Sequence, residues 1–197
     1  MTTYRFMSQL LLLPLLAIPM LASAQYEDST SMEVLAFDNT PARQCYQEAS
    51  IAARIHYSSR KNIETCNNAL NRTAMTIRDR AATLANRGII YMSLQNYPEA
   101  IADYNKALQM KPELGELNVN IGNVYFMGKV YDKAVAEYTI ALEKKTSRPY
   151  VAYFNRAMAY EGLNDLSKAA ADFKTALEMI PDWAAAKTKL DELQKKM

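Results

Sequence analysis

The chain has 197 residues, half of them apolar, with 23 basic against 21 acidic side chains and a net charge of +2 when its single histidine is neutral. So even a balance argues against a nucleic-acid-binding protein, for which a basic stripe is expected. One histidine, two cysteines and five glycines also leave little material for nucleophile-and-base catalysis or for a glycine-rich phosphate loop.

Residues 1–24 read as a secretory signal peptide. Arg5 precedes an apolar run from Leu10 to Leu21, and Ala22-Ser23-Ala24 forms a small-x-small cleavage site before Gln25. The rival reading is an uncleaved anchor, but the run spans about a dozen residues where a membrane helix needs ~20. Pro14 and Pro19 also interrupt it, and no cysteine follows it to accept a lipid. The expectation is an exported chain, periplasmic if its source is Gram-negative and secreted otherwise, with no membrane insertion after cleavage. Residues 25–40 then form a flexible leader, polar and acidic around one apolar patch, Met32-Glu33-Val34-Leu35-Ala36-Phe37. Such a segment is ordinarily unstructured; the alternative is an extended stretch that docks in a groove of its own chain or a neighbour's. Two helical patterns follow within 41–80, from about Pro41 to Tyr57 and from about Lys61 to Ala74.

From Ala81 one pattern recurs three times, first after 34 and then after 35 residues. Gly88-x2-Tyr91, Ala100-x3-Tyr104-x2-Ala107 and Pro112 return as Gly122-x2-Tyr125 and Ala134-x3-Tyr138-x2-Ala141. The third copy reads Ala157-x2-Tyr160, Ala169-x3-Phe173-x2-Ala176 and Pro181. Small residues at these offsets let two antiparallel helices and the next pair approach closely, and the aromatic rings fill the space between. No such pair buries its apolar face alone, so neighbours must stack. Thr146 stands where the other copies have proline, and Pro149 comes three residues later, in keeping with the one-residue insertion. After Trp183 the stretch Ala184 to Lys196 turns only Leu190 and Leu193 inward among charged residues, as a polar capping helix does.

The pattern resembles the tetratricopeptide repeat, a helix-turn-helix unit of 34 residues. The resemblance implies an all-α superhelix: repeats at 81–114, 115–149 and 150–183, a degenerate helical hairpin at 41–80 before them, and the capping helix at 184–197. It also implies a binding scaffold with no catalytic activity and no cofactor. In this family the first helix of each repeat lines a concave groove. Counting from the first residue of each repeat, position 6 is Asn86, Asn120 and Asn155; Asn123 and Met158 occupy position 9, Val119 and Phe154 position 5, and Phe126 position 12. A column of carboxamides offers donors and acceptors to the main chain of an extended peptide, and the apolar neighbours would read its side chains. The same asparagines are equally suited to hydrogen bonds between repeats. The members that clamp a chain-terminal carboxylate carry basic residues where this chain has Ala85, Val151 and Asn155, so that sub-type is not expected.

Asn68-Ala69-Leu70 parallels Lys106-Ala107-Leu108. That alignment places Cys66 near the end of the second helix of the degenerate hairpin and Cys45 near the start of its first, side by side in an antiparallel pair. In an exported chain the expectation is a Cys45–Cys66 disulfide. A redox or metal site is the alternative, against which stand the absence of Cys-x-x-Cys spacing and of a partner for His56. Methionines such as Met92, Met127 and Met158 form no clustered Met-x-x-Met run, so they read as groove or core fillers and no metal site is expected. The function so implied is an exported adaptor for a peptide segment of a partner protein. The alternative is a self-associating structural protein of the cell envelope.

Overall fold

The computed structural model describes residues 41–55, 58–71 and 74–197; the expected signal peptide, the leader and His56 lie outside them. Among the described residues there are nine helices and no strand. α1 (Pro41–Ile55) and α2 (Arg60–Leu70) form a first pair, followed by α3 (Ile77–Ser93) with α4 (Tyr97–Met110). α5 (Gly115–Met127) pairs with α6 (Tyr131–Glu143), α7 (Pro149–Gly162) with α8 (Leu166–Met179), and α9 (Ala184–Gln194) closes the row. Each helix packs on its pair-mate, the second helix of each pair meets the first of the next, and α1 also lies directly against α3. The result is an all-α solenoid. No helix among the described residues is long and apolar enough to cross a membrane.

Local chemistry sets the helix ends. Thr76 caps α3 by accepting a hydrogen bond from the Asp79 N–H at 3.0 Å, so the helix starts at Ile77, ahead of the repeat boundary at Ala81. Pro98 and Pro149 sit in the first turns of α4 and α7, where a missing N–H costs no intrahelical bond. α2 ends at Leu70, capped by Asn71, short of the expected Ala74: an Asn-rich end has weak helix propensity. Within each repeat the turn between the two helices passes through a left-handed residue, Gln95 (φ 61°), Lys129 (φ 59°) or Asn164 (φ 60°). The next N–H then reaches back to Tyr91, Tyr125 or Tyr160 O at 2.9 Å each, satisfying carbonyls that a helix end leaves orphaned.

The packing follows the repeated offsets. Tyr104, Tyr138 and Phe173 are at most 1% exposed and lie under the small residues of the paired helix. A Cβ on Gly88 would come within 2.6 Å of the Tyr104 ring, and one on Gly122 within 2.5 Å of Tyr138; phenylalanine at the third copy coexists with Ala157. Two arginines tie repeats together. Arg87 grips Asp103 with Nε at 2.6 Å and Nη2 at 2.7 Å, while its Nη1 donates to Asn67 Oδ1 on α2 at 2.5 Å. Arg156 grips Asp172 at 2.7 and 2.9 Å and donates to Thr139 Oγ1 on α6 at 3.0 Å. The hydrogen bonds to the aspartates hold both guanidinium pKa values above normal, against the opposing effect of burial.

Asn67 thus stands to Arg87 as Thr139 stands to Arg156, which fixes the register of the first hairpin against the others. Cys66, one residue before Asn67, takes the place of the central aromatic ring. It is bonded to Cys45 across a Cα–Cα distance of 4.8 Å, and both cysteines are fully buried. A disulfide fills the centre of the hairpin that lacks an aromatic there.

Candidate functional site

The candidate groove residues project from α3, α5 and α7, the first helices of the three clear repeats. Their exposure is not what the sequence led one to expect. Asn86, Asn120 and Asn155 retain 4%, 2% and 3% of their accessible surface, Val119 6%, Asn123 7% and Phe154 1%. Only Phe126 and Met158 of the eight are half-buried.

Phe154 is a core residue. Its ring lies 5.4 Å from Phe173 and 4.5 Å from Trp183, and Trp183 is in turn edge-on to Tyr150 at 5.6 Å. As the residue that opens the capping helix, Trp183 lays its indole over the last repeat and closes off the place assigned to a ligand side chain. The expected role of Phe154 in reading a ligand is therefore corrected: its ring is spent on joining the cap to the solenoid. Ala85, Ile89 and Met92 in the first repeat are closed off in the same buried cluster as Cys45, Ala49, Ala52 and Ala53 of α1.

Asn123 is committed to the scaffold. Its Oδ1 accepts from Tyr138 Oη at 2.8 Å and from Asn155 Nδ2 at 2.9 Å. A position-9 residue of one repeat thereby meets the position-6 asparagine of the next. The equivalent place before Asn120 is held by Ile89, which offers no acceptor. In keeping with this, three atoms of the asparagine column are buried without a hydrogen-bond partner: Asn86 Nδ2, Asn120 Oδ1 and Asn155 Oδ1. Buried amides are ordinarily paired, and each orphan asks for an explanation. The structure thus couples one link of the column internally, Asn155 to Asn123, and leaves three of its atoms without a partner. Phe126 packs its ring 5.6 Å from Tyr131, and Met158 borders the last-repeat core.

No group of His, Cys, Asp or Glu residues that could hold a metal occurs among the described residues. Sequence reasoning missed the two arginine clamps and the Trp183 lid. Arg and Asp recurring at equal offsets in the first and third repeats, with Ile121 and Glu137 in the second, are the signal that would have found the clamps.

A solenoid of antiparallel helix pairs with small and aromatic residues interlocked at a fixed offset defines the class of protein. The tetratricopeptide-repeat family model matches residues 81–114 and again residues 150–183, and the chain is a tetratricopeptide-repeat protein. Among solved structures it is similar to the first such domain of Spaghetti (RPAP3) bound to an HSP90 peptide, at 26% identity. That match covers 59% of this chain and 92% of that one, with a TM-score of 0.56. The first domain of human RPAP3 matches at 27% identity over 59% and 91% of the two chains, also with a TM-score of 0.56. MamA from Desulfovibrio magneticus RS-1, at 17% identity, covers 82% of this chain and 87% of its own with a TM-score of 0.63, a likeness of fold alone. No curated protein sequence matches the chain.

Proposed function

We propose that the chain is an exported, non-enzymatic adaptor that holds a peptide segment of a partner protein along α3, α5 and α7. The observation that carries this reading is the column of buried amide atoms without partners, one on each of three successive repeats. A main chain laid across them supplies the missing donors and acceptors. The RPAP3 domain, which resembles the chain at 26% identity, is bound to an HSP90 peptide, and this supports a peptide as the ligand class. Ala85, Val151 and Asn155 replace the basic residues of a carboxylate clamp, so an internal segment is the better fit than a chain end.

The test is in-cell crosslinking from a photoreactive residue at position 126, then titration of the captured partner against an Asn86→Ala, Asn120→Ala double variant. Each hydrogen bond contributes a net ~1 kcal/mol, so the double variant should bind on the order of thirtyfold more weakly while circular dichroism shows an unchanged helix content. Asn155 is left intact because its Nδ2 bond to Asn123 is structural. Wild-type affinity in a folded double variant would defeat the reading, and capture of nothing but another copy of this chain would favour self-association.

A further inference from the structure

The face of α3, α5 and α7 that carries the asparagine column offers a ligand almost no free charge. Positions 2, 5, 6, 9, 12 and 13 of a helix fall on one stripe of its surface, and position 6 lies within it. On the three helices that stripe holds only two charged residues, Glu116 near the start of α5 and Glu161 near the end of α7. Both are already engaged. Glu116 Oε1 accepts from Ser147 N–H at 2.7 Å and from Thr146 Oγ1 at 3.3 Å. Lys196 Nζ donates to Glu161 Oε1 at 2.6 Å, and Lys189 Nζ stands 3.7 Å from its Oε2. Arg87 and Arg156, on the same helices, turn off the stripe to Asp103 and Asp172 on the second helices of their pairs. The half-buried residues left on the stripe between the two acids include Phe126 and Met158, a ring and a thioether.

We infer that the segment held on this face is uncharged: an internal stretch of a partner whose main chain meets the amides and whose side chains over α5 and α7 are apolar or small. The inference rests on the column being the binding face and adds the selectivity of that face. Two observations carry it. The unpartnered atoms of the column are of both kinds, a donor in Asn86 Nδ2 and acceptors in Asn120 Oδ1 and Asn155 Oδ1. A peptide main chain answers both with its C=O and N–H groups, whereas an ammonium supplies donors alone and a carboxylate acceptors alone. The second is the engagement of Glu116 and Glu161. A lysine or glutamate side chain brought onto the stripe sheds its water and meets carboxamides and apolar groups, with both acids already held; burying a charge without a counter-ion is costly. An apolar side chain in the same place gains from burial.

The experiment pans a phage-displayed library of random short peptides on the full chain and counter-selects on the Asn86→Ala, Asn120→Ala variant, whose fold is checked by circular dichroism. The clones retained are those that depend on the column, and synthetic copies of them are titrated at low and high salt. Asp, Glu, Lys and Arg should fall several-fold below their frequency in the library. Dissociation constants should change by less than about twofold between ~0.05 and ~0.5 M salt, since there is no ionic attraction to screen. Replacing an apolar residue of a retained peptide by lysine or glutamate should weaken binding by roughly tenfold or more, and replacing it by alanine should cost less. Column-dependent peptides rich in charge, or affinities that fall steeply with salt, would overturn the inference and leave the binding face standing. Peptides that bind the double variant as tightly as the wild type, with none retained, would remove the face itself and the inference with it.

Discussion

Asn123 and Asn120 lie one turn apart on α5 and differ only in what the neighbouring repeats offer them. Asn123 Oδ1 serves Tyr138 and Asn155 at once, whereas Asn120 Oδ1 is buried without a partner. Asn123→Leu takes the acceptor from the buried Asn155 Nδ2, at a cost of about 1–3 kcal/mol, and should lower urea-unfolding stability by about that amount. Asn120→Leu removes an unsatisfied group and should be near neutral or stabilising by the same measurement; equal losses in the two variants would refute the assignment. Gly122→Ala drives a methyl into the Tyr138 ring at 2.5 Å, and overpacking of this kind costs about 1–3 kcal/mol. At this scale the offsets showed which residues share a repeat position, and the position-6 asparagines are buried in all three repeats. The offsets did not show which columns a following element covers. Phe154 reads as a groove residue until Trp183, from outside the repeat, is placed 4.5 Å from it; that contact depends on where the cap folds, which no spacing encodes.

At the level of elements, the irregular junction between α6 and α7 has an identifiable fastening. Where the other repeats carry proline, Ser147 N–H and Thr146 Oγ1 donate to Glu116 Oε1 on α5 at 2.7 and 3.3 Å. Beside it Lys144 Nζ donates to Asn118 Oδ1, and Asn118 Nδ2 to Glu137 Oε2, at 2.9 and 2.7 Å. The inserted residue and the missing proline were visible in the sequence, but the acid that closes the gap was not, because it lies thirty residues away on another helix. Burial pushes the Glu116 carboxyl up, and the Ser147 and Thr146 hydrogen bonds outweigh it, so its pKa falls below the ordinary value. A folded-state pKa below the unfolded one stabilises above the unfolded value near 4.5, and that stabilisation disappears as pH falls through the folded value. Because the group is only half-buried, the effect is under about 1 kcal/mol. Urea titrations should therefore show wild type modestly more stable than Glu116→Gln near neutral pH and indistinguishable from it well below the carboxylate range. A difference that grows in acid would contradict this sign.

For the whole molecule the question is how far one local constraint reaches. The buried side chains form three overlapping clusters. One joins α1–α5, one lies between α5 and α7, and one joins α7–α9. In a row of units that touch only their neighbours, stability is a sum of local and interface terms, so an effect at one end should fade along the row. The Cys45–Cys66 bridge closes a stretch of 21 residues, worth roughly 3 kcal/mol in the chain-entropy account. It sits in the one hairpin with sulfur in place of the central ring. Replacing both cysteines by alanine should thus speed amide hydrogen exchange in α1 and α2 by up to about two decades, 1.4 kcal/mol corresponding to tenfold. The face of α3 that packs on them should follow in part, since Ala85, Ile89 and Met92 share their cluster. Exchange in α7, α8 and α9, anchored by Phe154, Phe173 and Trp183, should stay at the wild-type rate. Acceleration spread evenly over all nine helices would mean that the solenoid unfolds as a single cooperative unit, and the bridge would then be a determinant of the entire fold instead of a brace for its first hairpin.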